Sequence, residues 1–271
     1  CPFGFSAEPA RHRLTWLYGD EIEWDVRMVG LAAAGEEYVE RGFTVEAQSA
    51  AFAQLADAHG MPIDPVLRER MAATWPACRA VVAARLEHGA TVARTLTRWL
   101  SVKHFSGMLL DDPATIAAAA RSAGIDADAL ALRMEDPETE RALADDFAAA
   151  RAPSPEALAQ PERLAAWDEG LRYTCPSYEI SRVDAGSRMA APGFQPLRAY
   201  ELAIANLAPE LARRPDPERA EDVLAAFGTP LATREVAEVM GVDTDTARAR
   251  LAPVARIERV GADGYWTLID A

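Results

Sequence analysis

Cys1-Pro2-Phe3-Gly4-Phe5-Ser6-Ala7-Glu8-Pro9 opens the chain, and Tyr173-Thr174-Cys175-Pro176-Ser177 stands far downstream. A proline sits well at the first turn of a helix, because the N–H it lacks would have had no intrahelical partner there. The spacing predicts a helix over Ser6 to Tyr18, with Leu14, Leu17 and Tyr18 on its apolar side, the Cys1-Pro2-Phe3-Gly4 segment at its start and a turn at Gly19-Asp20. A sulfur at the mouth of a helix is chemically suggestive. The helix N-terminus favours the thiolate, lowers the thiol pKa and makes the sulfur a better nucleophile at neutral pH.

Moving outward, Ile22, Trp24, Val26 and Met28 alternate with Glu21, Glu23, Asp25 and Arg27, which predicts a strand over Glu21 to Leu31. From Thr44 to Ala152, Ala, Leu and Val recur at helical spacing. Breaks fall at Gly60-Met61-Pro62, Trp75-Pro76, Gly89, Gly107, Asp111-Asp112-Pro113, Gly124-Ile125-Asp126 and Asp136-Pro137. Six or seven short helices are expected, with Asp111, Asp126 and Asp136 as N-caps. Ala152-Pro153-Ser154-Pro155 opens a further helical piece that ends near Gly170. Tyr173 to Val183 is β-rich, Asp184-Ala185-Gly186 is a turn and Ser187 to Ala191 returns, so a hairpin is expected, followed by a helix over Leu197 to Leu207. Arg213-Arg214-Pro215-Asp216-Pro217 reads as a linker. Beyond it come helices over Glu218–Phe227, Thr233–Met240 and Thr244–Val254 and a two-stranded wing, Ile257–Val260 and Tyr265–Ile269, in the order of a winged helix-turn-helix.

The chain has 271 residues, half of them hydrophobic, enough for one large or two modest domains. Lys plus Arg number 28 against 42 Asp plus Glu, a net −14, which disfavours nucleic-acid binding by the whole chain and attraction to anionic membranes. Three cysteines, Cys1, Cys78 and Cys175, are too few for a disulfide framework, and no apolar run approaches the ~20 residues of a membrane span. A cytoplasmic protein is the default expectation. Because the chain begins with Cys rather than Met, its natural start is expected upstream or processed, and secretion stays open.

A helix opening with Cys-Pro, a strand, a multi-helix insertion, a proline-bearing segment at 174–176, a hairpin and a C-terminal helix together resemble the DsbA-like thioredoxin-domain family. That family includes two-cysteine oxidoreductases and relatives of 2-hydroxychromene-2-carboxylate isomerase and kappa-class glutathione transferase. Cys1-Pro2-x-x-Phe5-Ser6-Ala7-Glu8-Pro9 is similar to the CPxx-[WF]-x-x-EP run of the family, and Pro76-Ala77-Cys78-Arg79-Ala80-Val81 to the start of its helical insertion. The resemblance spans roughly Cys1 to Leu211. It implies an α/β thioredoxin-like domain from residues 1–43 and 171–212, an all-helical insertion at 44–170, and, outside the resemblance, a winged-helix-like extension at 213–271.

The resemblance also implies a cis-proline at Pro176 beside the active-site sulfur, and a strand before the active-site helix that would lie upstream of Cys1. Gly4 stands where the CxxC motif of the two-cysteine members has its resolving thiol, so their cycle cannot run unchanged. The residue before the cis-proline lies beside the catalytic sulfur in this fold, which makes Cys175 a candidate resolving thiol for Cys1, against the plainer reading of a small buried residue. The expected function is thiol–disulfide oxidoreduction. Cys1 and Cys175 are the catalytic candidates, and Pro2, Phe3, Gly4, Phe5, Thr174 and Pro176 the substrate-binding ones. Tyr178 is a further aromatic for the cleft.

Two alternatives stand beside this reading. One is a glutathione-dependent transferase or isomerase, which needs a single reactive group at the helix start; the other is a thiol- or ligand-binding protein with a degenerate redox site. No bound cofactor is expected, with glutathione a candidate co-substrate. The expected partners are protein or small-molecule thiols and disulfides, and a second copy of the chain. Cys78 reads as core. His12, His59, His88 and His104 share no metal spacing with one another or with a Cys, so no metal is expected, and three helical turns separate His12 from Cys1. An N-terminal-nucleophile hydrolase would use Cys1 with its own amino group as base, but it needs stacked sheets and the chain reads mostly helical. From Arg214 to Ala271 seven Arg meet eleven acids, and Asp243-Thr244-Asp245 opens the presumed recognition helix. Packing, dimerisation or covering of the cleft therefore suits the last unit better than DNA.

Overall fold

The computed structural model describes residues 1–184 and 186–269. In chain order its elements are α1 (Pro2–Ser6), α2 (Glu8–Tyr18), α3 (Glu36–Glu40), α4 (Val45–His59), α5 (Trp75–Phe105), α6 (Pro113–Ser122), α7 (Ala127–Met134), α8 (Pro137–Ala150), α9 (Pro155–Leu158), β1 (Ala165–Trp167), β2 (Gly170–Arg172), β3 (Ser177–Ser181), β4 (Arg188–Pro192), α10 (Leu197–Leu207), α11 (Ala220–Phe227), β5 (Leu231–Ala232), α12 (Thr233–Met240), α13 (Thr244–Leu251), β6 (Ala255–Val260) and β7 (Asp263–Leu268). They form two units. A helical unit takes Trp24–Gln54 and Ile63–Ala150, and a mixed unit takes Cys1–Glu23, Leu55–Pro62 and Arg151–Ala271.

In the helical unit α5 is the axis. Ala80, Val82, Ala83 and Ala84 are fully buried along it, and side chains this small let α6, α7 and α8 pack against its flank. Leu96, Leu100, Ile116, Leu130 and Leu143 fill the space between these helices. Each such side chain contributes about 1.5–3 kcal/mol when fully buried. Gly89, expected as a break, has the non-helical φ 83 and ψ 173 and parts α5 into two helical stretches that meet at a kink. With its two stretches counted apart, six helices lie between Thr44 and Ala152, in line with the sequence pattern. Asp126 caps α7 by accepting from Asp128 N and Ala129 N, and the Asp136 carboxylate accepts from Glu138 N at the start of α8. Asp112, and not Asp111, caps α6 through Ala114 N. Asp111 turns away to accept from Ala73 N and Arg70, which hold its carboxyl below the ordinary range.

The expected strand over Glu21 to Leu31 does not form. No strand among the described residues pairs with this segment, so side chains of the helical unit satisfy its extended backbone instead. Arg94 donates to Trp24 O and Arg85 to Val26 O, Met28 N donates to Asp146 Oδ2, and Leu31 N and Ala32 N both donate to Thr74 Oγ1. The alternation of side chains is real, but a ladder needs a neighbour.

His104, near the end of α5, rests its ring against Phe52 and Phe105. Its Nδ1 lies 3.0 Å from Met108 O, and since a carbonyl only accepts, the neutral ring carries its proton there. Burial pushes its pKa down to about 4 from an ordinary 6.5. As pH falls through 6.5 the unfolded chain takes up this proton first. Stability is thus retained above pH 6.5 and falls between 6.5 and about 4, by up to about 1.4 kcal/mol per pH unit for this one group. Urea unfolding at pH 7.5 and 5 should show the slope, and His104→Phe should reduce it; an identical slope in the variant would remove His104 from the account.

In the mixed unit α2 packs along α12. Arg13, only 8 % exposed, donates to Val239 O and to Asp216, and Trp16 donates to Pro215 O, so the segment after α10 is tied to the first long helix. β5, β7 and β6 form an antiparallel sheet in that order, and α11, α12 and α13 share its core around Val223, Leu224, Leu231, Val236, Leu251 and Trp266. The buried Trp266 indole donates to Thr233 Oγ1. β3 and β4 form the expected hairpin, running from the pair Ser177↔Pro192 to Ser181↔Arg188, and α10 packs on it. In the expected turn, Ala185 lies outside the described residues. A second hairpin, β1 with β2, replaces the end of the helical piece expected up to Gly170. Three residues per strand are too few to carry a period-two pattern. All pairings among the described residues are antiparallel, and no described helix is long and apolar enough to cross a membrane.

Candidate functional site

Cys1 is the N-cap residue of α1, with Pro2 in the first turn, and its carbonyl accepts from Phe5 N. Ala7, at φ −88 and ψ −8, carries the helical path into α2, where Arg11 N donates back to Ala7 O. The Cys1 thiol is exposed and free, and it donates to Cys175 O over 3.1 Å. The Cys175-Pro176 peptide bond is cis. Three hydrogen bonds pin the loop that carries it: Thr174 Oγ1 donates to Arg163 O, Ser177 Oγ to Thr174 O, and Gly193 N to Ser177 Oγ. Residues 174 places apart in sequence thus share one site, and of the candidates Cys1, Gly4 and Cys175 stand together.

Gly4 is where they meet. A Cβ built on it would lie 3.1 Å from Cys175 Sγ and 3.9 Å from Cys1 Cβ, so the two thiol-bearing side chains flank the spot where this residue has no side chain. Phe3 is 43 % exposed and lies against His59 and Phe194, with Phe194 stacked on His59 at 4.7 Å. Neither His59 nor Phe194 stands out in the sequence as a site residue. The signal available was Gly193, whose N–H fixes Phe194 next to the Thr174–Ser177 loop. Burial keeps the His59 imidazole below its ordinary pKa. Phe5, expected in the cleft, is corrected by the structure. It is 2 % exposed, because it falls on the inward side of the short helix while Phe3 falls outward. Tyr178 turns to Tyr200, their rings 4.7 Å apart, and burial raises its pKa. Cys78 is half-buried against the core of the helical unit.

A largely buried charged cluster joins α2 to α12, and sequence reading missed it. Glu8 and His12 are one turn apart, but Glu235 arrives only through folding; ligand atoms of the three lie within 4.8 Å of one another. His12 Nδ1 is 3.1 Å from Glu235 Oε1, and the Phe227 ring lies 4.5 Å from its own. Burial first and Arg11 second hold the His12 pKa below 6.5, against the opposing pull of Glu235 and Glu8. The Arg11 guanidinium grips Glu8 with two hydrogen bonds of 3.0 and 2.6 Å and comes 3.0 Å from His12 Nε2. The Arg11 charge offsets the Glu8 carboxylate, and His12 lies between it and the second carboxylate, Glu235, in one ion network. Glu235 Oε2 accepts from Ala232 N at the start of α12, so the same carboxylate ties His12 to that helix.

No family model matches the sequence, and no curated protein matches it. Among solved structures the chain is similar to a "putative protein disulfide isomerase" from Nitrosomonas europaea. The TM-score is 0.52 at 13 % identity, over 76 % of this chain and 91 % of that one. The fold is DsbA-like and thioredoxin-type. At this identity the likeness concerns architecture alone. It says nothing of which reaction the thiols perform.

Proposed function

We propose that this chain is a thiol–disulfide oxidoreductase of the DsbA-like kind, with Cys1 as nucleophile and Cys175 as resolving thiol. The observation that carries the reading is the exposed Cys1 thiol hydrogen-bonded to the backbone of Cys175. In the reducing direction the Cys1 thiolate attacks one sulfur of a substrate disulfide, forming a mixed disulfide and releasing the other half as a thiolate. Cys175, having lost its proton to solvent, then attacks Cys1 Sγ, closes a Cys1–Cys175 disulfide and releases the second substrate thiolate. Both released thiolates take up protons. Two protein thiols are oxidised and one substrate disulfide is reduced to two thiols; the reverse sequence oxidises a dithiol substrate. Thr174 and Pro176 would present the loop edge and Pro2 and Phe3 the helix edge to the substrate.

The unit from α11 to β7 is, in this reading, a winged-helix-like extension used for packing. Its α12 lies on α2, and α13 opens at Asp243 and Asp245, where a phosphate backbone would be repelled. A transferase or isomerase that uses glutathione would need Cys1 alone. Reduced protein challenged with glutathione disulfide, acid-quenched and peptide-mapped by mass spectrometry separates these readings. The oxidoreductase should show a Cys1–glutathione adduct giving way to a Cys1–Cys175 link. A persistent Cys1 adduct would favour the single-thiol reading, and a Cys1 that stays unmodified would end both.

A further inference from the structure

We infer that Gly4 is the specificity-determining position of this site: having no Cβ, it leaves open the place that Cys175 Sγ takes beside Cys1, and so decides which thiol resolves the mixed disulfide. The inference rests on the proposal that Cys1 and Cys175 exchange disulfides. A sulfur at the fourth residue of the helix would reach Cys1 from the same helix. Here Cys175 Sγ instead comes from the opposite loop and stands 3.1 Å from where a fourth-position Cβ would begin.

A methyl group at position 4 would crowd that sulfur below the 3.5–4.0 Å at which non-bonded carbon atoms pack best. The backbone of Cys175 cannot easily withdraw, because the bonds from Thr174 to Arg163 O, from Ser177 to Thr174 O and from Gly193 to Ser177 hold it. What yields is the Cys175 side-chain torsion, which would swing the sulfur to another staggered position away from Cys1. The step at stake is the second one: Cys175 thiolate attacks Cys1 Sγ, the Cys1–S–S–glutathione bond breaks, and glutathione leaves as a thiolate that takes a proton from solvent.

The test compares the wild-type chain, Gly4→Ala and Cys175→Ala, each reduced and mixed with glutathione disulfide. Conversion of the Cys1 adduct to the Cys1–Cys175 link is followed by quenched peptide mapping. In Gly4→Ala the conversion should slow by about tenfold or more, since displacement of a reacting atom by the order of 1 Å can cost up to 10²-fold. Cys175→Ala should stop at the adduct. A second readout needs no chemistry: alanine is the better helix former, so Gly4→Ala should raise the melting temperature in the Cys175→Ala background and raise it less, or lower it, when the sulfur is present. Equal conversion rates, or equal shifts in melting temperature in the two backgrounds, would overturn the role of Gly4 while leaving exchange at Cys1 intact. A wild-type Cys1 that takes no glutathione would overturn the exchange reading itself.

Discussion

Cys1→Ser abolishes formation of the glutathione adduct, lowering its rate by roughly 10³-fold or more, the scale on which an enzyme loses its nucleophile. The hydroxyl does not ionise near neutral pH, whereas a free thiol has a pKa of ~8.5 and supplies thiolate. Cys1 is exposed, so the substitution removes little packing, and the variant should melt within a degree or two of wild type. Cys78 is the control: half-buried in the helical unit, it should give Cys78→Ser adduct kinetics like those of wild type. The comparison is read by peptide mapping at fixed glutathione disulfide. Adducts forming equally fast in Cys1→Ser, on Cys78 or Cys175, would move the chemistry away from the helix start.

The second large effect lies in the helical unit. Asp146 on α8 is fully buried, and its carboxylate accepts from Met28 N, Arg27 and both terminal nitrogens of Arg85. Asp146→Ala leaves the Arg85 guanidinium without its main partner and Met28 N without an acceptor. Breaking a buried ion pair costs about 3–5 kcal/mol, and the partial exposure of Arg27 and Arg85 puts the expectation near the lower end, about 3 kcal/mol. Asp146→Asn keeps the shape and one acceptor, so it should fall between the two. Urea unfolding of the full chain at pH 7.5 measures the loss. A change below about 1 kcal/mol would mean that solvent already satisfies these arginines.

Local chemistry was legible where one residue and its immediate neighbours decide the outcome. Asp126 and Asp136 cap their helices because a carboxylate after a loop reaches the free N–H groups of the next turn. Asp111 and Asp112 are adjacent and chemically equal, and only the position of Ala73 N, 38 residues away in sequence, makes one a brace and the other a cap. Phe3 and Phe5 likewise look alike in sequence, yet one is exposed and the other buried, because the turn of the helix sends them to different sides.

Contacts within a few residues fix the Cys-Pro helix start, the β3–β4 hairpin and the three helices and terminal hairpin of the last unit, so these are readable from the chain alone, whereas the two-residue β5 is not. Folding alone settles the rest: Ile22 to Leu31 runs without a strand partner among the described residues, Glu235 closes on His12 across 223 positions, and Cys175 Sγ lies against the bare face of Gly4. The physical reason is common to all three. Hydrogen-bond pairing, desolvation of charge and steric room are properties of what stands opposite a residue, and residues far apart in the chain supply it.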